Sequence, residues 1–293
     1  MIGTAWHRRI VLALPWLWTG LFFLLPFAFV LKISFSEAAL SVPPYSDFFA
    51  YAGGAIVGLK ANLANYQLLL SDALYVKAYL SSVKIGAIAT FITLLLGYPM
   101  AYAIARAAPQ RRNVFLVLVM LPFWTSFLIR IYAWMGLLRP TGLINSALLS
   151  LGVIDEPLLL LNTPFAVYLG IVYAYLPFMV LPLYARLEKL DPALLEAAAD
   201  LGAKPWRAFL GVTLPLSRPG ILAGCLLVFI PAVGEFVIPE LLGGPNTLMI
   251  GKVLWSEFFS NRDWPMASAL TVVLLVLLVA PIMLLQARRE DAP

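Results

Sequence analysis

Residues 196–221 read EAAADLGAKPWRAFLGVTLPLSRPGI and lie between two long apolar segments. An alanine-rich run, a glycine and a Lys-Pro pair follow one another here, a pattern that predicts a helix, a turn and a second helix. A loop that only connects two membrane-spanning helices does not need such organised structure. The stretch therefore predicts a small folded element held against the membrane surface, which is typical of a docking surface for another protein.

The composition is that of a membrane protein. The 293 residues are 62% hydrophobic and 12% charged, whereas soluble domains are about 45–50% apolar and about 25% charged. We therefore expect an all-α, polytopic membrane protein that binds the lipid bilayer and no nucleic acid, and we attribute the net charge of +5 to basic cytoplasmic loops. The apolar stretch from Ile10 to Leu31 exceeds the roughly 7–15 residues of a signal-peptide core, so it is interpreted as a retained span.

Six apolar segments approach the roughly 20 residues that a spanning helix needs. They predict one transmembrane domain over 1–293, with a cytoplasmic loop at 188–218 and spans at about 10–33, 78–105, 114–138, 164–187, 219–242 and 266–287. Loops on the side of both termini carry twelve Lys and Arg, and those on the other side carry six. The excess predicts that both termini are cytoplasmic.

Local signals place the helices of the cytoplasmic loop. Asp191-Pro192 is a helix start, because Asp caps the first turn and Pro suits the first helical position. Gly202 suits the position after the helix, where the backbone adopts a left-handed conformation. Lys204-Pro205 can start the next helix. Pro215 and Pro219 are expected to break the chain again before the fifth span.

These residues carry a resemblance to a family. The loop resembles the EAA loop of permease subunits of binding-protein-dependent ABC importers, matching it at Glu196, Ala197, Ala198, Gly202, Leu214, Pro215, Pro219, Gly220 and Ile221. The resemblance implies a type I importer permease with cytoplasmic coupling helices. It also implies that Glu196 makes a polar contact with a separate ATPase subunit and that Gly202 permits the turn.

Other stretches are similar to polyamine permeases. They are LPFWTSFLIRIYAW at 121–134, VYAYLPF at 172–178 and NRDWP at 261–265, while PAVGEFVIPELLGG at 231–244 is similar to the putrescine-type subunit. The implied partners are a homologous second permease, two ATPase subunits that bind ATP and Mg, and a periplasmic polyamine-binding protein. The implied location is the bacterial inner membrane.

Three ionisable residues stand out within the predicted spans, where charges are costly and often functional. Lys84, Arg130 and Glu235 are all predicted at a similar depth in the outer third of the bilayer. Glu235 lies in a span interrupted by Pro and Gly, and interrupted helices often line a substrate cavity. Two interpretations stay open: Glu235 pairs with a substrate ammonium, or it forms an ion pair with Arg130 or Lys84.

Aromatic residues near these charges are candidates for the substrate pathway, because rings attract ammonium groups. The candidates are Trp124, Tyr132, Trp134, Tyr173 and Tyr175. Packing or anchoring at the membrane interface is the alternative for each of them.

The sequence shows no signature of catalysis. It has no Gly-x-x-x-x-Gly-Lys-Ser/Thr phosphate loop, one histidine, His7, and one cysteine, Cys225. We therefore expect neither a catalytic nor a metal site, and no cofactor on this chain. The expected function is ATP-driven import of putrescine; spermidine, another small cation, or ion-coupled transport by the chain alone through Glu235 are the alternatives.

Overall fold

The structure is a computed structural model that describes residues 3–52, 55–245 and 247–290. Its helices and strands are α1 Gly3–Thr19, α2 Leu25–Ser34, β1 Phe49–Ala52, β2 Ala55–Leu59, α3 Ala64–Ser71, α4 Ala73–Arg106, α5 Pro109–Met120, α6 Phe127–Leu138, α7 Leu143–Ser150, α8 Pro164–Leu187, α9 Ala193–Asp200, α10 Pro205–Ala208, α11 Leu214–Val233, α12 Val237–Leu242, α13 Ile250–Trp255 and α14 Trp264–Glu290. Short π-helical segments at Gly20–Leu24, Phe209–Thr213 and Ser256–Ser260 join consecutive helices, and a 3₁₀ turn at Leu121–Trp124 follows α5.

The polytopic, mostly helical fold is confirmed. Within the described residues, five segments are long and apolar enough to cross a membrane: Val11–Ser34, Ala73–Arg106, Pro164–Leu187, Pro205–Val233 and Trp264–Pro281. A sixth span results if Pro109–Trp124 and Phe127–Ser150 are taken together. In the described part of the loop between α2 and α3, β1 and β2 form an antiparallel pair, and an isolated bridge joins Ala38 and Tyr45.

The third span is broken, although the sequence predicted one continuous helix over 114–138. Its two helical parts are bent by 86°. Pro122 lies in the 3₁₀ turn, where it has no N–H to continue a helix. Thr125 is extended, and its hydroxyl donates to the carbonyl of Pro122 at 2.7 Å, which stabilises the break.

The fifth span is also displaced from its predicted bounds of 219–242. The expectation that Pro215 and Pro219 break the chain is wrong: Pro215 lies in the first turn of α11 and Pro219 lies inside it. Neighbouring helices satisfy backbone groups that a proline frees, so spanning helices tolerate it. The break falls instead after Val233, because Gly234 and Phe236 leave the helical conformation before α12 begins.

The chain divides into two compact units, 1–76 with 253–293, and 77–252. In the first unit α14 packs against α2 and α3. Side-chain contacts hold the loop between α2 and α3 in place: the Tyr45 ring lies 6.3 Å from that of Trp264, and the amide of Asn62 donates to Glu37 at 2.7 Å.

The second unit is built around the close pairing of α8 and α11. A Cβ added to Gly224 would lie 3.2 Å from the carbonyl oxygen of Met179, and one added to Gly220 would lie 3.0 Å from that of Pro182. Small residues four apart let two membrane helices approach in this way. The two apolar clusters of this unit are therefore centred on α8, one around Ile131 and Ile171 and the other around Met179.

Candidate functional site

A cavity of about 580 Å³ opens in the second unit, beside both broken spans. Its walls come from the start of α6, the middle of α8 and the junction between α11 and α12. The lining residues are Phe123, Thr125, Phe127, Arg130, Ala174, Tyr175, Phe178, Pro231, Gly234, Glu235, Phe236 and Val237.

Glu235 is held at the break of the fifth span by four hydrogen bonds. Its Oε1 accepts from the backbone N–H groups of Phe236 at 3.1 Å, Val237 at 3.0 Å and Ile238 at 3.5 Å. Its Oε2 accepts from the hydroxyl of Tyr175 on α8 at 2.5 Å. The side chain is 8% exposed, so these donors replace the water that a carboxylate would otherwise bind.

Arg130 brings a positive charge to the same cavity from α6. It is also 8% exposed. Its guanidinium lies over the rings of Phe123 and Phe127, with 5.6 and 5.8 Å to the ring centroids. Its Nε is buried without a hydrogen-bond partner.

The predicted ion pair of Glu235 with Arg130 or Lys84 is not formed. Among the side chains that the structure describes, the ion pairs within 4.0 Å are Arg112–Glu188 at 3.3 Å and Lys252–Glu240 at 3.1 Å. Arg130 and Glu235 line the same cavity without an ion pair: Glu235 accepts four local hydrogen bonds, whereas the guanidinium of Arg130 lies over two phenylalanine rings. Lys84 is exposed on α4 and does not line the cavity.

Of the five aromatic residues named as pathway candidates, Tyr175 alone lines the cavity. Trp124 and Tyr132 are 72% and 55% exposed. The rings of Trp134 and Tyr173 pack edge to face at 5.4 Å, and Trp134 lies against an apolar cluster. Trp134 and Tyr173 therefore pack against other side chains, whereas Trp124 and Tyr132 lie at the surface of the chain.

The aromatic lining comes mainly from four phenylalanines that sequence reasoning missed: Phe123, Phe127, Phe178 and Phe236. Phe127 precedes Arg130 by three residues on α6, and Phe178 follows Tyr175 by three on α8. Residues three apart share a helix face, so this spacing could have identified both. Phe123 could not be found in this way, because it lies in the 3₁₀ turn at the break of the third span and not on a regular helix face.

Helix α9 has the predicted start and end. Asp191 Oδ1 accepts from the N–H of Ala193 at 3.0 Å. At the other end, Gly202 N–H donates to Ala199 at 2.8 Å and Ala203 N–H donates to Ala198 at 2.9 Å. This pair of bonds is a Schellman motif, and Gly202 has the positive φ of +78° that it requires.

The aromatic side chain of Phe209 packs the helical element at 193–213 against α4. Phe209 packs edge to face on Tyr98 at 5.6 Å and on Tyr102 at 6.1 Å, both on α4. The hydroxyl of Tyr98 also shares a hydrogen bond of 2.9 Å with Ser217 on α11. The helical element therefore contacts α4 directly and continues into α11.

The resemblance residues of this element lie in three different places. Glu196 is exposed on α9, and Gly202 forms the turn after it. Ala197 is exposed and Ala198 is half-buried on α9, whereas Leu214 and Pro215 lie half-buried at the start of α11. An exposed acid on a short helix fits a contact with another subunit.

Comparison with known proteins identifies relatives of the whole chain. Residues 94–289 match the family described as binding-protein-dependent transport system inner membrane component. The chain is 42% identical over 271 residues to the spermidine/putrescine transport system permease protein PotB of Haemophilus influenzae, and the alignment covers 92% of this chain and 90% of that protein. It is 44% identical over 233 residues to PotB of Escherichia coli, with 80% of this chain and 84% of that protein covered. It is 33% identical over 298 residues to the inner membrane ABC transporter permease protein YdcU of Escherichia coli, with 94% of this chain and 89% of that protein covered.

A solved structure shows the same fold. It is a bacterial ABC transporter involved in the import of the acidic polysaccharide alginate, with a TM-score of 0.69, 18% identity, and coverage of 99% of this chain and 98% of that one.

Proposed function

Because this chain belongs to the family of binding-protein-dependent transport system inner membrane components, we propose that it is the permease subunit of an ATP-driven importer for polyamines, with putrescine as its main substrate. The supporting observation is the cavity that places the buried Glu235 carboxylate beside the Tyr175 hydroxyl and phenylalanine rings. A carboxylate and aromatic faces are the groups that bind an alkylammonium. Spermidine is the second candidate, since two relatives carry the name spermidine/putrescine permease.

The assembly that we propose contains a second permease, two ATPase subunits and a periplasmic polyamine-binding protein. ATP and Mg bind to the ATPase subunits, and this chain performs no covalent chemistry. It lies in the inner membrane with both termini in the cytoplasm, as its Lys and Arg distribution favours. A related fold has been solved as an alginate transporter in complex with its periplasmic protein.

Force from the ATPase subunits reaches the cavity along α11. The coupling helices α9 and α10 contact the ATPase through exposed residues such as Glu196, and they continue through Phe209–Thr213 into α11. That helix has 20 residues and so is about 30 Å long. It ends two residues before Glu235, so a shift of its cytoplasmic end is transmitted to the carboxylate.

Reconstitution in vesicles tests this function. The complete assembly is expected to take up putrescine only with ATP and the binding protein, and E235Q is expected to reduce uptake at least about tenfold, since an amide no longer pairs with an ammonium. The matched control is E240Q, because Glu240 lies outside the cavity and is half-exposed beside Lys252. Normal uptake by E235Q would remove the role of the cavity, and uptake by this chain alone under an ion gradient would favour a secondary transporter instead.

A further inference from the structure

The cavity carries opposite charges on two of its walls. Arg130 lies on α6, and Glu235 lies at the junction of α11 and α12. At about 580 Å³ the cavity is of the size that binds small molecules whole. Its charges, and not its volume, therefore decide how much of a diamine it can hold.

The negative wall can bind one ammonium group. Oε1 of Glu235 already accepts from three backbone N–H groups, whereas Oε2 accepts one hydrogen bond, from Tyr175. A carboxylate oxygen has two lone pairs, so those of Oε1 are fully used by its three donors while Oε2 has one left. One further donor can therefore reach Oε2, with the ring of Phe178, 6.1 Å from that of Tyr175, beside it.

The positive wall opposes a second ammonium group. A guanidinium stays protonated in proteins, and Arg130 has no carboxylate within 4.0 Å in the part of the chain that the structure describes. It also lies over the faces of Phe123 and Phe127, so these two rings already bind a cation. Charges of like sign repel strongly where little water screens them.

We propose that Arg130 is a specificity-determining residue that makes the cavity a site for one ammonium group at a time. A linear diamine is then held by one end at Glu235, while its other end stays outside the cavity. This inference rests on the proposed function of the same cavity. It explains how the path can recognise a dication without retaining it: half of the charge of the substrate is bound, and the other half is repelled.

Direct binding to the purified assembly, without its binding protein, tests the inference. The probes are radiolabelled putrescine and n-butylamine, which has a similar chain and a single ammonium. The wild-type protein is expected to bind the two with Kd values that agree within about threefold. In R130Q the Kd of putrescine is expected to fall about tenfold, while that of n-butylamine changes less than about twofold, because only the diamine brings a second charge.

Three control variants separate the possible failures. R130K keeps the positive charge and should bind both amines as the wild type does, and K84Q removes an exposed cation outside the cavity and should do the same. E235Q should weaken the binding of both amines. If the affinity for neither amine falls in E235Q, the proposed function of the cavity fails. If the affinity for both falls but R130Q leaves the ratio of the two Kd values unchanged, only the role of Arg130 fails.

The wild-type measurement tests the inference even if R130Q does not fold. If wild-type protein binds putrescine about tenfold or more tightly than n-butylamine, both ammonium groups are bound together and the inference is overturned. Melting temperatures of each variant in detergent show whether R130Q keeps its fold. A loss of affinity for both amines in a folded R130Q would assign Arg130 to support of the cavity wall.

Discussion

The hydroxyl of Tyr175 donates a hydrogen bond of 2.5 Å to Oε2 of Glu235, and so joins the middle of α8 to the break in the fifth span. The two residues are 60 positions apart in sequence. This contact closes one side of the cavity, because Tyr175 and Glu235 both line it. A substrate ammonium that binds Oε2 therefore acts on the contact between α8 and the α11–α12 junction.

The Y175F variant tests how much that hydrogen bond contributes to stability and to transport. The variant keeps the ring next to Phe178 and removes the hydroxyl, so we expect a loss of about 1–2 kcal/mol in stability, typical of a hydrogen bond between membrane helices. We also expect a changed KM for polyamine uptake. Y173F is the matched control, since the Tyr173 ring packs on Trp134 away from the cavity. Equal effects of the two variants on stability and KM would contradict a special role for Tyr175.

The close approach of α8 and α11 predicts that larger residues are not tolerated at Gly224. A Cβ there would lie 2.7 Å from Met179 Sδ and 3.2 Å from the Met179 carbonyl oxygen. We expect G224V to lower stability by about 1–3 kcal/mol, the usual cost of overpacking. Thermal unfolding of the purified chain measures it. G136A is the control: nothing lies within 4 Å of a Cβ at Gly136 on α6, so its melting temperature should stay equal or rise.

Gly202 is needed for its backbone conformation and not for space. Its φ is +78°, and nothing lies within 4 Å of an added Cβ. We expect G202V to cost about 1–2 kcal/mol in the turn after α9 and to weaken co-purification of the ATPase. G211A is the matched control in the same element, because Gly211 has equally open space and no positive φ. Undiminished ATPase in the G202V preparation would show that the turn is not part of docking.

Phe209 is predicted to transmit motion and not to bind the ATPase. It packs on Tyr98 and Tyr102 of α4, whereas its neighbour Leu210 is 51% exposed. We expect F209A to co-purify with the ATPase but to lose most uptake per ATP hydrolysed, with a stability cost of about 2–4 kcal/mol for the lost packing. Leu210→Ala is the control for packing. If F209A takes up substrate at the normal ratio to hydrolysis, coupling does not pass through this side chain.

The surface ion pair of Arg112 and Glu188 is expected to contribute little to stability. Its atoms are 3.3 Å apart, and the two side chains are 27% and 40% exposed. Exposed pairs contribute about 0–1 kcal/mol. E188Q should therefore shift the melting temperature by no more than a few degrees. R112A should cost more, since Arg112 Nε also donates to the carbonyl of Ala107 at 2.9 Å. A larger effect of E188Q than of R112A would contradict this order.

Local sequence signals predicted the start and the end of α9 well. Asp191 and Gly202 mark the start and the end of α9, and the structure places a cap and a Schellman motif there. Such signals act within a few residues, so they can be read without tertiary structure. Pro215 and Pro219 misled for the opposite reason, because neighbouring helices decide whether a proline breaks a span.

Composition and residue order by themselves determined a helical, polytopic membrane protein with an organised helical element at 193–213, since burial of apolar length and capping are local properties. The tertiary structure alone decided where the third and fifth spans break and that Arg130 and Glu235 face one cavity without pairing. It also decided that Tyr175 contacts the carboxylate while four other candidate aromatics do not. The physical reason is that each outcome depends on competing partners from distant segments. Glu235 has four hydrogen-bond donors close at hand, three from the next turn and one from α8, so it needs no basic partner.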